Sequence, residues 1–205
     1  PDVPVIAAGS MLESLFNTEI SFPVGRVEYL VIHPVSFPEF LGAIGETAAL
    51  EQLKNIPLAG FAQDKLMQFF RTYCVIGGMP EIIQQYAKDR DLTALNTTYE
   101  SLLVSYMDDV EKYAANNAQA NYIRHAIRSC FAEAGKRIKF QGFGNSTYKS
   151  REMGEALRTL EKALLVHLIY PQTSPVLPLQ PDYDRSPRLQ FLDTGMLNYF
   201  TGIQK

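Results

Sequence analysis

The sequence contains no tryptophan, only two cysteines and only three histidines among its 205 residues. Cys74 and Cys130 lie far apart without CxxC spacing, so we expect free, buried thiols in a reducing compartment. His33, His125 and His167 lack the close spacing that metal ligands need, so no metal site is predicted. No apolar run approaches the ~20 residues of a membrane span and no signal peptide is visible, so we expect a cytoplasmic protein without a membrane partner.

The chain has no strong excess of either charge, since its formal net charge is −3. Its N-terminal and C-terminal parts, however, differ in the balance of charges. Residues 1–120 carry 7 Lys and Arg against 15 Asp and Glu, whereas residues 121–205 carry 12 against 7. A basic C-terminal part that follows an acidic N-terminal part favours a nucleic-acid surface in the basic part. The alternative is an ordinary solvated surface.

The clearest structural pattern lies in the C-terminal part. Apolar residues recur on one face of a helix over 150–163, and Ser150 is its predicted N-cap. An apolar run of strand length follows at 165–170, then a proline-rich excursion at 171–187 and a second strand at 188–192. A helix, a strand, a long wing and a strand form the second half of a winged helix.

Most of the remaining segments have helical patterns. The predicted helices are 11–16, 36–44, 61–76, one that begins at Pro80, 93–113, 119–134 and 196–201, and the predicted strands are 3–8, 26–32 and 137–140. Ser36 and Glu39 form a capping box at the start of the second helix, and Gly77 with Gly78 ends the third. We therefore predict a mainly α chain with a small β component.

The candidate DNA-binding residues are exposed cations around the predicted winged helix. They are Lys136, Arg137, Lys139, Lys149, Arg151, Arg158 and Lys162, and Phe140, Phe143 and Tyr148 are interleaved with them. Lys and Arg would take backbone phosphates, which contributes affinity but little specificity. Glu152, Glu155 and Glu161 lie on the same helix and would oppose a DNA backbone. The alternative is therefore a winged helix that packs against protein.

Other candidate sites have weaker patterns. Ser10 ends an apolar strand, where it could sense a phosphate or simply cap a helix, and Arg26 is either a phosphate contact or a surface residue. Residues 141–150 lack the GxxxxGK[ST] spacing of a phosphate loop and form the turn before the recognition helix. The acids at 108–111 point to different faces of a helix, which favours a solvated surface over a catalytic pair.

Several segments, in order along nearly the whole chain, resemble one family. They are VIAAGS (5–10), PVGRVEYL (23–30), HPVSFPEFL (33–41), GGMPE (77–81), YMDDVEKY (106–113), EALRTLEKALLVHLIY (155–170) and FLDTGMLNYF (191–200). As an ordered set they resemble the bacterial and archaeal AAA-type P-loop ATPases that carry a C-terminal domain of unknown function.

The resemblance implies that the chain is an internal fragment. Ser10 would occupy the sensor-1 position, and Arg26 would be a nucleotide-site or intersubunit arginine. The Walker A and Walker B motifs would precede Pro1, and a PD-(D/E)XK-like region would follow Lys205. ATP and Mg²⁺ are thus expected in the full-length parent but not in this fragment, which should neither hydrolyse ATP nor cut DNA.

On this basis the chain divides into three parts. Residues 1–45 would end the ATPase core, 46–117 would form a helical lid or connector, and 118–205 would form the winged helix. The leading hypothesis is a DNA-associated, ATP-dependent protein, with DNA and further copies of the chain as candidate partners. A second hypothesis makes the winged helix a protein-interaction or dimerisation module. A third is a transcriptional regulator whose two-fold dimer spaces two recognition helices about 34 Å apart.

Overall fold

A computed structural model describes Ile6, Glu28 and residues 30–203, with the backbone alone at 110–113. The predicted strand 3–8, the predicted helix 11–16 and the candidate residues Ser10 and Arg26 lie outside the described residues. Residues 30–32, which belong to the predicted strand 26–32, are described and form no strand, so this end of the prediction is wrong.

The described part of the chain is mainly α-helical, with one small antiparallel sheet, and this confirms the predicted fold class. The helices are α1 (Phe37–Ala43), α2 (Thr47–Leu53), α3 (Gly60–Ile76), α4 (Pro80–Asp89), α5 (Asn96–Tyr113), α6 (Asn117–Glu133), α7 (Ser150–Lys162) and α8 (Thr194–Thr201). The strands are β1 (Val166–Ile169) and β2 (Arg188–Phe191), and 3₁₀ turns occupy Thr93–Leu95 and Phe143–Asn145. No described helix combines the length and the apolar character that crossing a bilayer requires.

Local sequence signals explain several helix ends. The Glu39 carboxylate accepts hydrogen bonds from the Ser36 N–H at 2.8 Å and from the Ser36 hydroxyl at 2.6 Å, which fixes the start of α1. Gly77 has φ 74° and ends α3, and Pro80 then occupies the first turn of α4, where its missing N–H costs nothing. These three boundaries agree with the predicted ones.

Other predicted boundaries are wrong. Lys149, not Ser150, is the N-cap of α7, because Ser150 is already helical. The helix does not run directly into β1, since Leu164 has φ 59° and breaks the chain direction. The strand predicted at 137–140 reduces to a single antiparallel bridge between Arg137 and Arg188. Helix α2 was not predicted.

The C-terminal half has the order of a winged helix. Helix α6 is followed by the Arg137 bridge, the 3₁₀ turn, α7 and the β1–β2 hairpin with its long wing. In the hairpin, Val166 pairs with Phe191 and Ile169 with Arg188, so alternate residues point inward. Helix α7 packs against α6 and β1 and buries Met153, Ala156, Leu157 and Leu160 in the hydrophobic core.

One hydrophobic cluster joins residues from both sides of the predicted division at 117/118. It contains Phe40, Ile76 and Tyr99 from the N-terminal helices and Leu157 and Met196 from the winged-helix part, all essentially inaccessible to solvent. The proposed boundaries at 45/46 and 117/118 stay predictions.

The two cysteines are free thiols in different environments. Cys130 is fully buried in α6, and burial raises the pKa of its thiol far above the ordinary range. Cys74 in α3 is only partly buried. Because the thiolate is the reactive form, we expect Cys130 in the native protein to react with a thiol reagent at least about 100-fold more slowly than Cys74.

An Ellman titration before and after urea unfolding checks this prediction. One thiol should react in the native protein and two in the unfolded chain, and Cys74→Ser should remove the native reaction. Equal reaction rates for both thiols in the native state would contradict the packing of α6.

Candidate nucleic-acid interface

The outer face of α7 carries three cations in one row. Arg151, Arg158 and Lys162 are all exposed, and the side chain of Arg151 is 88% accessible. The helical rise of 1.5 Å per residue puts Arg158 about 10 Å from Arg151 and about 6 Å from Lys162 along the axis. The opposite face of α7 packs against α6 and β1, so the cationic face is not buried against the helices at 61–113.

The acids of α7 are largely engaged by the protein itself. The Glu152 carboxylate accepts a 2.8 Å hydrogen bond from the Lys149 N–H, and Glu161 accepts one of 2.8 Å from the Leu168 N–H. Glu155 forms a 3.0 Å ion pair with Arg151. Two of the three acids that sequence alone set against a DNA backbone are thus held by main-chain groups of this chain.

The N-terminus of α7 is also occupied by the protein. Its Ser150 N–H donates to the Gln141 side-chain oxygen at 3.1 Å, next to the Lys149–Glu152 contact. The Ser150 amide therefore does not offer an anion site, and the candidate phosphate contacts are the cations on the helix surface.

The remaining candidate cations lie between α6 and α7. Lys136, Arg137 and Lys139 are exposed, and Ile138 between them is buried. The Nζ atom of Lys136 lies 3.6 Å from Oε1 of Glu133, and an ion pair at the surface contributes little to stability.

Residues 140 and 141 bring this segment to the first turns of α7. A Cβ placed on Gly154 would lie 3.3 Å from the Phe140 ring, and Gln141 contacts Ser150. All seven predicted DNA-binding cations are exposed, and the contacts of Phe140 and Gln141 join the segment that carries Lys136, Arg137 and Lys139 to the start of α7.

Sequence reasoning missed Arg188. It is exposed at the start of β2 and lies directly opposite Arg137 in the antiparallel bridge. Its guanidinium donates to the Gly135 carbonyl at 3.0 Å. The alternating burial of β2 turns this side chain outward, but its partner across the sheet could not be read from the sequence.

The wing differs from a basic DNA-contacting wing. Val176, Leu177 and Tyr183 are 69%, 79% and 72% exposed, respectively. The only cation at 171–187, Arg185, is paired with Asp182 at 3.2 Å. An apolar tip with no free cation suits contact with an apolar surface rather than with phosphates.

Among the described residues, the carboxylate of Asp193 is buried, and its contacts indicate a structural role. It accepts hydrogen bonds from the N–H groups of Gly78 at 2.6 Å and Met196 at 2.9 Å, and a further one comes from Gly195. Burial raises the pKa of Asp193, and these hydrogen bonds oppose that rise. The carboxylate caps α8 and ties it to the end of α3, so it faces main chain rather than a cleft.

Within the described residues, no group of three or more His, Cys, Asp or Glu side chains is placed to hold a metal ion. His125 instead forms a 2.9 Å hydrogen bond between its Nε2 atom and the Phe143 carbonyl oxygen, in the turn before α7. A shallow groove of 470 Å³ lies between α5, α6 and α8, where Phe131 and Phe200 form its floor and Arg128 its edge. None of these features assembles a catalytic arrangement.

The described residues form a mainly helical chain with one small antiparallel sheet, and the exposed face of α7 carries a row of cations. Residues 67–205 match the family described as a domain of unknown function (DUF8612). This match covers more than half of the chain, so the chain belongs to that family. Neither a curated protein nor a solved structure matches the chain.

Proposed function

We propose that this chain is the DNA-associating part of an ATP-dependent protein. The observation that carries the proposal is the exposed row of Arg151, Arg158 and Lys162 on α7, together with the engagement of Glu152 and Glu161 by main-chain N–H groups. A recognition helix can approach a phosphate backbone when Arg158 and Lys162 form no ion pair within the described residues and its acids Glu152 and Glu161 are held by main-chain groups. The segment with Lys136, Arg137 and Lys139 supplies further exposed cations.

ATP and Mg²⁺ belong, in this proposal, to the parent protein. Residues 141–150 lack the spacing of a phosphate loop, which supports placing the nucleotide site elsewhere in the parent. Ser10 and Arg26 stay proposed reporters of the phosphate state. The parent is proposed to be a cytoplasmic AAA-type ATPase, and no step of ATP hydrolysis is assigned to this chain.

Salt dependence tests the DNA proposal. We expect the chain to bind a fluorescent 20-bp duplex with a log Kobs that falls linearly with log [salt], at a slope between about −3.6 and −6.3 for four to seven phosphates neutralised. Fluorescence anisotropy between 50 and 200 mM NaCl measures the slope. An unrelated duplex of the same length should give a similar slope, since backbone contacts carry little sequence information. A flat salt response, or no binding at 50 mM, would refute the proposal.

The exposed apolar wing favours a second candidate function. Val176, Leu177 and Leu179 are 69%, 79% and 48% exposed, respectively, on the wing and suit a protein contact between copies or with another chain. In that case the winged helix is an interaction module. Concentration-dependent self-association in sedimentation, without duplex binding in the anisotropy assay, would favour this candidate over the first.

A further inference from the structure

Arg137 and Arg188 form an unusually close pair of like charges. The Leu189 N–H donates to the Lys136 carbonyl at 3.0 Å, and the Ile138 N–H donates to the Pro187 carbonyl at 2.9 Å. These two hydrogen bonds flank the bridge and make Arg137 and Arg188 a non-hydrogen-bonded antiparallel pair. In such a pair the Cα atoms are about 4.5 Å apart and the side chains are closer than at the alternate sites.

Both side chains point to the solvent side of the sheet. Ile138 and Leu189, the next residues in each segment, are buried at 3% and 0% exposure, so alternation directs Arg137 and Arg188 outward. The other outward residues on these three segments are Lys139, His167, Ile169 and Gln190, which include no acid. The sheet itself therefore offers no carboxylate to neutralise the pair.

The Arg137–Arg188 pair lowers the stability of the folded state when no anion lies between the two guanidinium groups. Like charges directly opposite each other across an antiparallel pair are destabilising. The Arg188 guanidinium is oriented by its 3.0 Å hydrogen bond to the Gly135 carbonyl. Arg137 makes no ion pair with any side chain in the described part of the chain. A bound anion is the partner that would reverse the sign of this interaction.

We propose that Arg137 and Arg188 together bind one phosphodiester group of a nucleic-acid backbone. Guanidinium groups match phosphate oxygens with paired, charge-assisted hydrogen bonds, and two of them at this spacing can hold one phosphate from both sides. The inference deepens the proposed DNA association and rests on it. It adds Arg188 to the contact surface and extends that surface from α7 to the solvent face of the sheet.

The Arg137→Gln variant tests the proposal with two measurements, the binding of DNA and the melting temperature without DNA. The affinity for a 20-bp duplex at 50 mM NaCl should fall about 5- to 10-fold, and the magnitude of the salt slope should fall by about 1. The melting temperature without DNA should stay unchanged or rise, because a repulsion is removed. Arg71→Gln in α3, an exposed residue remote from the sheet, is the matched control and should leave affinity and slope unchanged.

Two further variants separate charge from geometry. Arg188→Gln should lower the affinity to a similar degree. The affinity loss of the double variant should be smaller than the product of the two single losses, since both residues contact one phosphate. Arg137→Lys should restore the salt slope but only part of the affinity, because Lys keeps the charge and loses the paired hydrogen bonds.

The outcomes distinguish this inference from the proposal on which it rests. If the unmodified chain does not bind the duplex, the DNA proposal fails and the inference falls with it. If it binds, but Arg137→Gln and Arg71→Gln behave alike, the DNA proposal stands and the paired-arginine site is refuted. The last measurement is the binding of inorganic tripolyphosphate to the chain. If it binds the chain in an Arg137-dependent manner while duplex affinity does not depend on Arg137, the site takes free phosphates and the backbone assignment is wrong.

Discussion

Gly195→Ala is expected to destabilise the protein by about 3 kcal/mol or more. A Cβ on Gly195 would overlap the Ile76 carbonyl oxygen and lie 2.8 Å from the Gly77 nitrogen, so backbone rather than a flexible side chain would have to move. The displacement would also weaken the bond from the Asn198 side chain to the Cys74 carbonyl, now 2.9 Å. Urea unfolding followed by circular dichroism measures the loss.

Gly42→Ala is the matched control. Gly42 lies inside α1, where a Cβ would meet nothing within 4 Å, so the same substitution should stabilise the protein by about 0.5–1 kcal/mol through helix propensity. The opposite signs at two helical glycines would tie the loss to the close approach of α8 and α3. A Gly195→Ala protein as stable as the unmodified one would mean that α8 does not dock there.

The sequence predicted the elements that have strong local signals. Helix α7 and the strands of the hairpin follow from apolar periodicity, and α1 and α4 follow from the Ser36–Glu39 capping box and Pro80. Helix α2 was not predicted because its seven residues span about two turns, and its apolar positions Ala49, Leu50 and Leu53 are too few to define a periodic pattern.

Contacts between distant segments could not be read from the sequence. Gly78 and Asp193 are 115 positions apart, and only the fold reveals that the GGMPE and FLDTG segments meet through one carboxylate. The same reason hid the Arg137–Arg188 pair, since local pattern predicts an outward arginine but not its neighbour across a sheet. Leu164 at φ 59° has no sequence signature, because such a backbone is unusual for a leucine.

For the candidate interface, the sequence predicts the cations and the opposing acids but not the hydrogen bonds that hold the acids. The carboxylates of Glu152 and Glu161 accept hydrogen bonds from the N–H groups of Lys149 and Leu168, respectively. The Lys149–Glu152 contact is local, whereas the Glu161–Leu168 contact depends on a neighbouring strand that only the tertiary fold fixes. Both carboxylates keep their negative charge, so the candidate contacts to a phosphate backbone are the exposed cations of α7.

The triple change Arg151→Gln, Arg158→Gln and Lys162→Gln should therefore reduce duplex affinity by about 100- to 1,000-fold at 50 mM NaCl. Each lost phosphate contact removes about 0.9 from the magnitude of the salt slope, so the three together should lower it by about 2.7. The folded state should persist, because all three side chains are exposed and only Arg151 forms an ion pair in the described part of the chain. Anisotropy titrations over a salt series and a thermal melt check both statements.

A second triple variant separates the position of the charges from their number. Lys54→Gln, Lys65→Gln and Arg71→Gln remove the same net charge from exposed positions at 54–71, where two of the cations form solvent-exposed ion pairs of little energetic value. If the α7 face contacts the duplex, this control should lose at most a few-fold in affinity and keep its salt slope. Equal losses in both variants would show that DNA responds only to net charge, and the recognition-helix role of α7 would then be wrong.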